Sequence, residues 1–255
     1  MKMVVIAQEK GGVGKTAVTT QLAFYYQEQG LNVCVIDLDI QGNSSFTLNK
    51  YKSGFTASQL FETNHISFES INVNPDDPTI TLISSDHKLA NIEKVSLKDV
   101  SIAYYQKIKE INLCGFDIVL IDTPSMLSNS LSVALSFADY VFSPIEPDLY
   151  SIQGISQMEA TIRKVRTWNK KLNYIGILLS KRDGRNTRHV ENDIDLRKKY
   201  KSLIFPQSLG LRRSVSDALA LCIPVWKIKN NNGARTAGRE FKAVGEYIYN
   251  KMMET

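Results

Sequence analysis

Long apolar runs, paired cysteines and linker-like stretches are all missing from this chain of 255 residues. The longest hydrophobic runs are strand-sized, such as Met3 to Ala7, whereas a membrane-spanning helix needs about 20 apolar residues in succession. A membrane span is thereby excluded. The sequence enters a strand pattern at once, without the segments of a signal peptide, so a cytoplasmic location is expected. Cysteine occurs only at Cys34, Cys114 and Cys222, an odd number with no metal-ligand spacing. These read as reduced structural thiols. No interior stretch rich in Pro, Gly or Ser marks a linker. One domain over residues 1–255 is expected, a size that α/β folds reach within one core.

What the chain does have is alternation. Strand patterns at 3–7, 33–37, 79–84, 117–121, 139–143 and 173–179 alternate with helical patterns at 16–29, 99–112, 129–137, 151–167, 187–200, 211–221 and 235–252. The stretch 44–78 is variable and carries no clear pattern. Near-continuous Val, Ile and Leu in the strands means burial on both faces. The fold class expected is therefore α/β, a mostly parallel twisted sheet with helices on both faces, with ligands at the carboxyl ends of the strands.

The first strand runs into Gln8-Glu9-Lys10-Gly11-Gly12-Val13-Gly14-Lys15-Thr16, and a helix pattern follows. A phosphate-binding P-loop reads G-x-x-x-x-G-K-[ST]: glycines let backbone N–H groups wrap the phosphates and the lysine neutralises them. Gly14, Lys15 and Thr16 satisfy the end of that pattern. Its first glycine is replaced by Glu9, and an additional lysine, Lys10, follows. Strand, loop and helix N-terminus together form an anion site. Two further boxes lie at strand ends, Asp37-Leu38-Asp39-Ile40-Gln41-Gly42-Asn43 and Phe116-Asp117-Ile118-Val119-Leu120-Ile121-Asp122-Thr123-Pro124.

The loop resembles the deviant Walker A box of the ParA/MinD superfamily of P-loop ATPases. The second box is similar to the D-x-D-P-Q-G-N switch I of the ParA branch, and the third to its Walker B strand and switch II. The likeness spans nearly the whole chain and is closest to the small ParA class, which has no N-terminal helix-turn-helix domain. The absence of paired cysteines argues against the iron-sulfur and metallochaperone branches. The resemblance implies ATP and Mg²⁺ as cofactors. It implies phosphate binding by Gly11, Gly12, Val13, Gly14, Lys15, Thr16 and Ala17, and base lining by the segment around Pro206, with Arg182 or Asp183 as further neighbours of the adenine. Thr16 and Asp122 would hold Mg²⁺, Lys15 would reach the β- and γ-phosphates, and Asp39 would orient the attacking water. Lys10 would cross to the nucleotide of a second copy in an ATP-bound homodimer.

Departures from the family pattern are Glu9, expected to point away from phosphate or to pair with a base, Ala17 in place of a hydroxyl residue, Ile40 in place of proline and Ser125 in place of a second proline. None removes a charged catalytic group, so slow ATP hydrolysis is expected.

The net charge of +5 conceals an uneven distribution. Residues 181–242 contain 15 Lys and Arg against 6 Asp and Glu, and the remainder of the chain is net acidic. Such a surface suits phosphate backbones, and no sequence-reading module accompanies it. Non-specific DNA binding is expected, with Arg182, Arg185, Arg188, Arg212, Arg213, Lys227, Lys229, Arg235 and Arg239 as candidates. The resemblance then implies DNA partition, plasmid or chromosome, with nucleoid association and a ParB-like or other cargo-bound activator that stimulates hydrolysis. Two alternatives stand beside it: positioning of a protein cargo, and a MinD-like switch at a membrane surface. For the latter, Phe241, Val244, Ile248 and Met252 form a helical stripe, but Glu240, Glu246 and Glu254 flank it, so packing on the domain is expected and no membrane partner.

Overall fold

The computed structural model describes residues 1–64, 66–68, 70–71, 73–148 and 151–254. Eight strands form one sheet: β1 (Lys2–Ile6), β2 (Val33–Asp37), β3 (Lys52–Thr56), β4 (Ile80–Ser84), β5 (Ile118–Asp122), β6 (Tyr140–Ile145), β7 (Asn173–Arg182) and β8 (Ile204–Gly210). Their order is β3-β4-β2-β5-β1-β6-β7-β8, and every pair is parallel. The helices are α1 (Lys15–Glu28), α2 (Asn43–Thr47), α3 (Leu97–Leu113), α4 (Asn129–Phe137), α5 (Ser151–Val165), α6 (Thr187–Lys199), α7 (Arg213–Ala220) and α8 (Asn232–Met253).

Side chains alternate across a strand, and that alternation divides the interior into two cores. Met3, Val5, Cys34, Ile36, Val119 and Ile121 face one core with Tyr104 of α3, Leu131 of α4 and Met158 of α5. Val4, Ile6, Val33, Val35, Ile118 and Leu120 face the other with Leu22 of α1 and Val244 and Ile248 of α8. Phe241, Val244, Ile248 and Met252 are all buried in this second core, so the stripe on α8 is spent on packing.

Strand and helix cores fall near their expected places, whereas the stretch 44–78 holds more than expected. It contains α2, β3 and a 3-10 turn at Ala57–Phe61; residues 65, 69 and 72 of it lie outside the described residues. The strand β3, Lys-Ser-Gly-Phe-Thr, lies at a sheet edge with no apolar run to announce it. Strand β8 also escapes the apolar pattern, because as the other edge it tolerates Pro206. Helix α3 begins two residues early since Ser96 caps it by accepting from the Asp99 N–H.

The topology places the three boxes together. Strands β2, β5 and β1 are adjacent, with Asp37 level with Asp122 and Asp122 level with Ile6.

Candidate nucleotide site

The loop from β1 to α1 turns through Gly12 and Gly14, at φ of 78° and 94°. Gly14 has a second reason to lack a side chain, since a Cβ there would stand 3.0 Å from Ser180 Oγ. The N-terminus of α1 has no side-chain cap and no acid in its first turn. Its N–H groups and positive dipole end are left for an anion. Val13 is buried within the loop.

A cavity of about 510 Å³ opens over this loop. Gly12, Gly14, Lys15, Thr16 and Ala17 line one end together with Asp39 and Ser125. The other end is apolar, with Phe46, Leu209, Leu211, Val215, Leu219 and Phe241 among its lining residues. Lys181 at the end of β7 also lines it, in a left-handed conformation with φ of 54°.

Lys15 is buried, and its ammonium donates to the Gln8 carbonyl at 3.0 Å and to Ser125 Oγ at 2.7 Å. Burial pulls its pKa down, and the Asp122 and Asp39 carboxylates partly restore it. Thus Ser125, which departs from the family pattern, supplies the polar partner that holds this lysine. Asp122 Oδ2 accepts from Thr16 Oγ1 at 2.8 Å and from Ser44 Oγ at 2.6 Å. Its Oδ1 is buried and has no hydrogen-bond partner among the described residues. Burial, with the Asp122 carboxylate beside it, pushes Asp37 up to about 7, despite donation from the Ser45 N–H and hydroxyl and from the Asp39 N–H. Asp122 is raised as well, again chiefly by burial.

Mg²⁺ fits this donor set. Its preference is for hard oxygen ligands, few from protein and the rest from water and phosphate. Thr16 and Asp122 supply oxygens, and the orphaned buried Oδ1 is an acceptor that lacks a partner. No cluster of three His, Cys, Asp or Glu exists among the described residues, so the protein alone offers no complete cage.

Lys10 lies outside the cavity lining and forms an ion pair with Asp148, beyond the end of β6. Glu9 points away from the loop, where its Oε1 accepts from Thr161 Oγ1 of α5 at 3.1 Å. Asp39 lines the cavity, its backbone held through the Ser85 hydroxyl, which donates to the Asp39 carbonyl at 2.6 Å.

Three expectations are corrected. Pro206 stands exposed and lines no part of the cavity, whose wall begins three residues further on, at Leu209 to Arg212. Arg212, expected on a DNA surface, is half-buried in that wall and grips Glu240 with both guanidinium nitrogens, Nη2 to Oε1 at 2.8 Å. Arg182 is tied to Asp193, which also accepts from Arg197, and neither Arg182 nor Asp183 lines the cavity. Acids on neighbouring helices, the buried Asp193 and the half-buried Glu240, claim both guanidinium groups. Of the DNA-surface candidates, those that are exposed are Arg185 just before α6 and Arg188 in its first turn, with Arg213, Lys227, Lys229, Arg235 and Arg239 on α7, the following turn and α8. Those last elements pack against one another. Of these cations, Lys227 bonds Glu28 at 3.3 Å and Arg213 meets Asp217 at 3.7 Å, both too exposed to neutralise strongly.

Sequence reasoning does not single out Ser44 or Asp148, and it marks Ser125 only as a departure in switch II, without a role. Ser44 and Ser125 adjoin recognised boxes, and Asp148 had no signal.

A family model described as an AAA domain matches residues 1–174. Protein IncC of Escherichia coli is 44% identical over 99% of this chain and 70% of its own length. The chromosome-partitioning ATPase Soj of Thermus thermophilus is 28% identical over 80% of this chain and 79% of its own. Among solved structures, the ATP complex of a McdA variant from Cyanothece superposes with a TM-score of 0.82 at 20% identity, covering 97% of this chain and 96% of that one. The chain belongs to this AAA-domain family, as a P-loop ATPase of the ParA type.

Proposed function

We propose that this chain is one ATPase domain that moves or anchors a cargo by partition. It binds ATP with Mg²⁺, pairs with a second copy across the nucleotides, and holds DNA without sequence preference through its basic face. A ParB-like or other cargo-bound activator stimulates hydrolysis and releases it. Similarity to a chromosome-partitioning ATPase supports the partition reading, and the place of Lys10 carries the pairing. Lys10 projects outside its own cavity and is satisfied there by Asp148, whereas Lys15 already occupies the phosphate end within. A second lysine of this kind suits phosphates bound by another subunit.

Phosphoryl transfer needs positioning and charge neutralisation. Lys15 would exchange the Gln8 carbonyl and Ser125 for phosphate oxygens. Thr16 and Asp122 would hold Mg²⁺, which when bound supplies positive charge against the β- and γ-phosphates. Asp39, on the cavity wall, would orient the attacking water, while the N–H groups at the start of α1 fix the phosphate chain. The exposed basic side chains at Arg185, Arg188, Arg213, Lys227, Lys229, Arg235 and Arg239 would contact DNA backbone. Pairing two such faces multiplies their contacts. The cytoplasm, on the nucleoid, is where such a protein would work.

The test is sedimentation and DNA binding with ATP, ADP or no nucleotide. Dimers and salt-sensitive DNA binding are expected with ATP alone, with Lys10→Ala retaining nucleotide but remaining monomeric. ATP-dependent dimers that bind anionic vesicles and ignore DNA would replace this reading with a membrane-surface one.

A further inference from the structure

The least expected contact at the site comes from Ser44. It lies on α2, immediately after the loop that carries Asp39, and is completely buried. A buried helical hydroxyl usually finds a carbonyl one turn back, as Thr19 does with Lys15 at 3.0 Å and Thr20 with Thr16 at 2.9 Å. Ser44 instead reaches Asp122, 78 residues away in sequence, at 2.6 Å. The Thr16 hydroxyl donates to the same oxygen. Two neutral donors, one from α1 and one from α2, therefore fix the carboxylate and leave Oδ1 as its open acceptor. Neither donor is charged, so the two hydroxyls orient Asp122 without adding a countercharge of their own.

The adjoining residue extends the link. The Ser45 hydroxyl donates to Asp37 at 2.7 Å and accepts from the Ser85 N–H at 2.8 Å, and the Ser85 hydroxyl holds the Asp39 carbonyl. Helix α2 is thus fastened to both buried carboxylates, and Asp39 to the same network.

We propose that Ser44 is a positioning residue for the metal-nucleotide site, the hydroxyl through which switch I is coupled to the cation held by Thr16 and Asp122. The proposal rests on the assignment of those two residues to Mg²⁺. A cation held there would share Asp122 with Ser44, so that the acceptor on which α2 is docked would differ between the metal-free and metal-bound states. By linkage, docking of α2 changes the affinity for the cation by the same factor.

The experiment measures binding of a fluorescent ATP analogue with Mg²⁺ and with EDTA, together with hydrogen exchange across residues 43–47. Ser44→Ala is expected to reduce the Mg²⁺-dependent gain in affinity about tenfold, the scale of one hydrogen bond to a charged group. It leaves affinity in EDTA unchanged and abolishes the exchange response of α2 to Mg²⁺-nucleotide. Ser44→Thr restores both. A full Mg²⁺ gain and a normal exchange response in Ser44→Ala would overturn the proposal. Wild-type protein with no Mg²⁺ gain at all, matched by Thr16→Ala, would remove the metal-site assignment and the proposal with it.

Discussion

One part of the cavity lining is polar and comes from strand-end loops and the start of α1; the other is apolar and comes from the β8 terminus, α7 and α8, with Phe46 of α2. The polar end works by placing charges and hydrogen-bond donors, each of which has one correct position. The apolar end works by shape, which many residue combinations can satisfy. Loss of a single group should therefore be severe at the first end and graded at the second.

Lys15→Ala is expected to weaken nucleotide binding most, on the order of a thousandfold, since it removes the buried partner of a charged ligand. Equilibrium titration with a fluorescent nucleotide measures it, and a loss of tenfold or less would break the contrast. Asp39→Ala should lower turnover about a hundredfold, the usual scale for a positioned catalytic acid or base, with binding intact. Phosphate release in single-turnover conditions checks this. At the apolar end, Val215→Ala should raise KM about tenfold or less and leave kcat unchanged, because it trims contacts made equally before and during reaction. A fall in kcat would show that the wall does more than hold the substrate. The smallest effect is expected from Glu240→Gln, which loosens the grip on Arg212 and should cost about 1 kcal/mol of stability in a denaturant melt.

The same contrast explains what could be read in advance. Lys15, Thr16, Asp39 and Asp122 follow from box spacing, because phosphate and metal chemistry admit few residue types at fixed distances from a strand end. Strands β1, β2 and β5 were legible because burial on both faces demands Val, Ile and Leu. Edge strands β3 and β8 are freed from that demand. The apolar wall lies three residues beyond the expected position, around Leu209 instead of Pro206, since which residues of an edge strand turn toward the cavity is not written in their composition. Arg212 looked like surface charge because Glu240, its partner, is brought in from another helix. A composition count cannot separate a free cation from a satisfied one.

One feature of the sheet reaches beyond catalysis. Asp37 and Asp122 are level neighbours on β2 and β5, both buried. Burying two acids side by side is costly, and a cation bound there with nucleotide would offset that cost. Ligand then acts as the last component of the fold: at a hundredfold above its Kd it contributes about 2.7 kcal/mol to stability. A cell poor in ATP would hold a softer, more readily digested protein, so its abundance would follow the energy supply without any dedicated regulator.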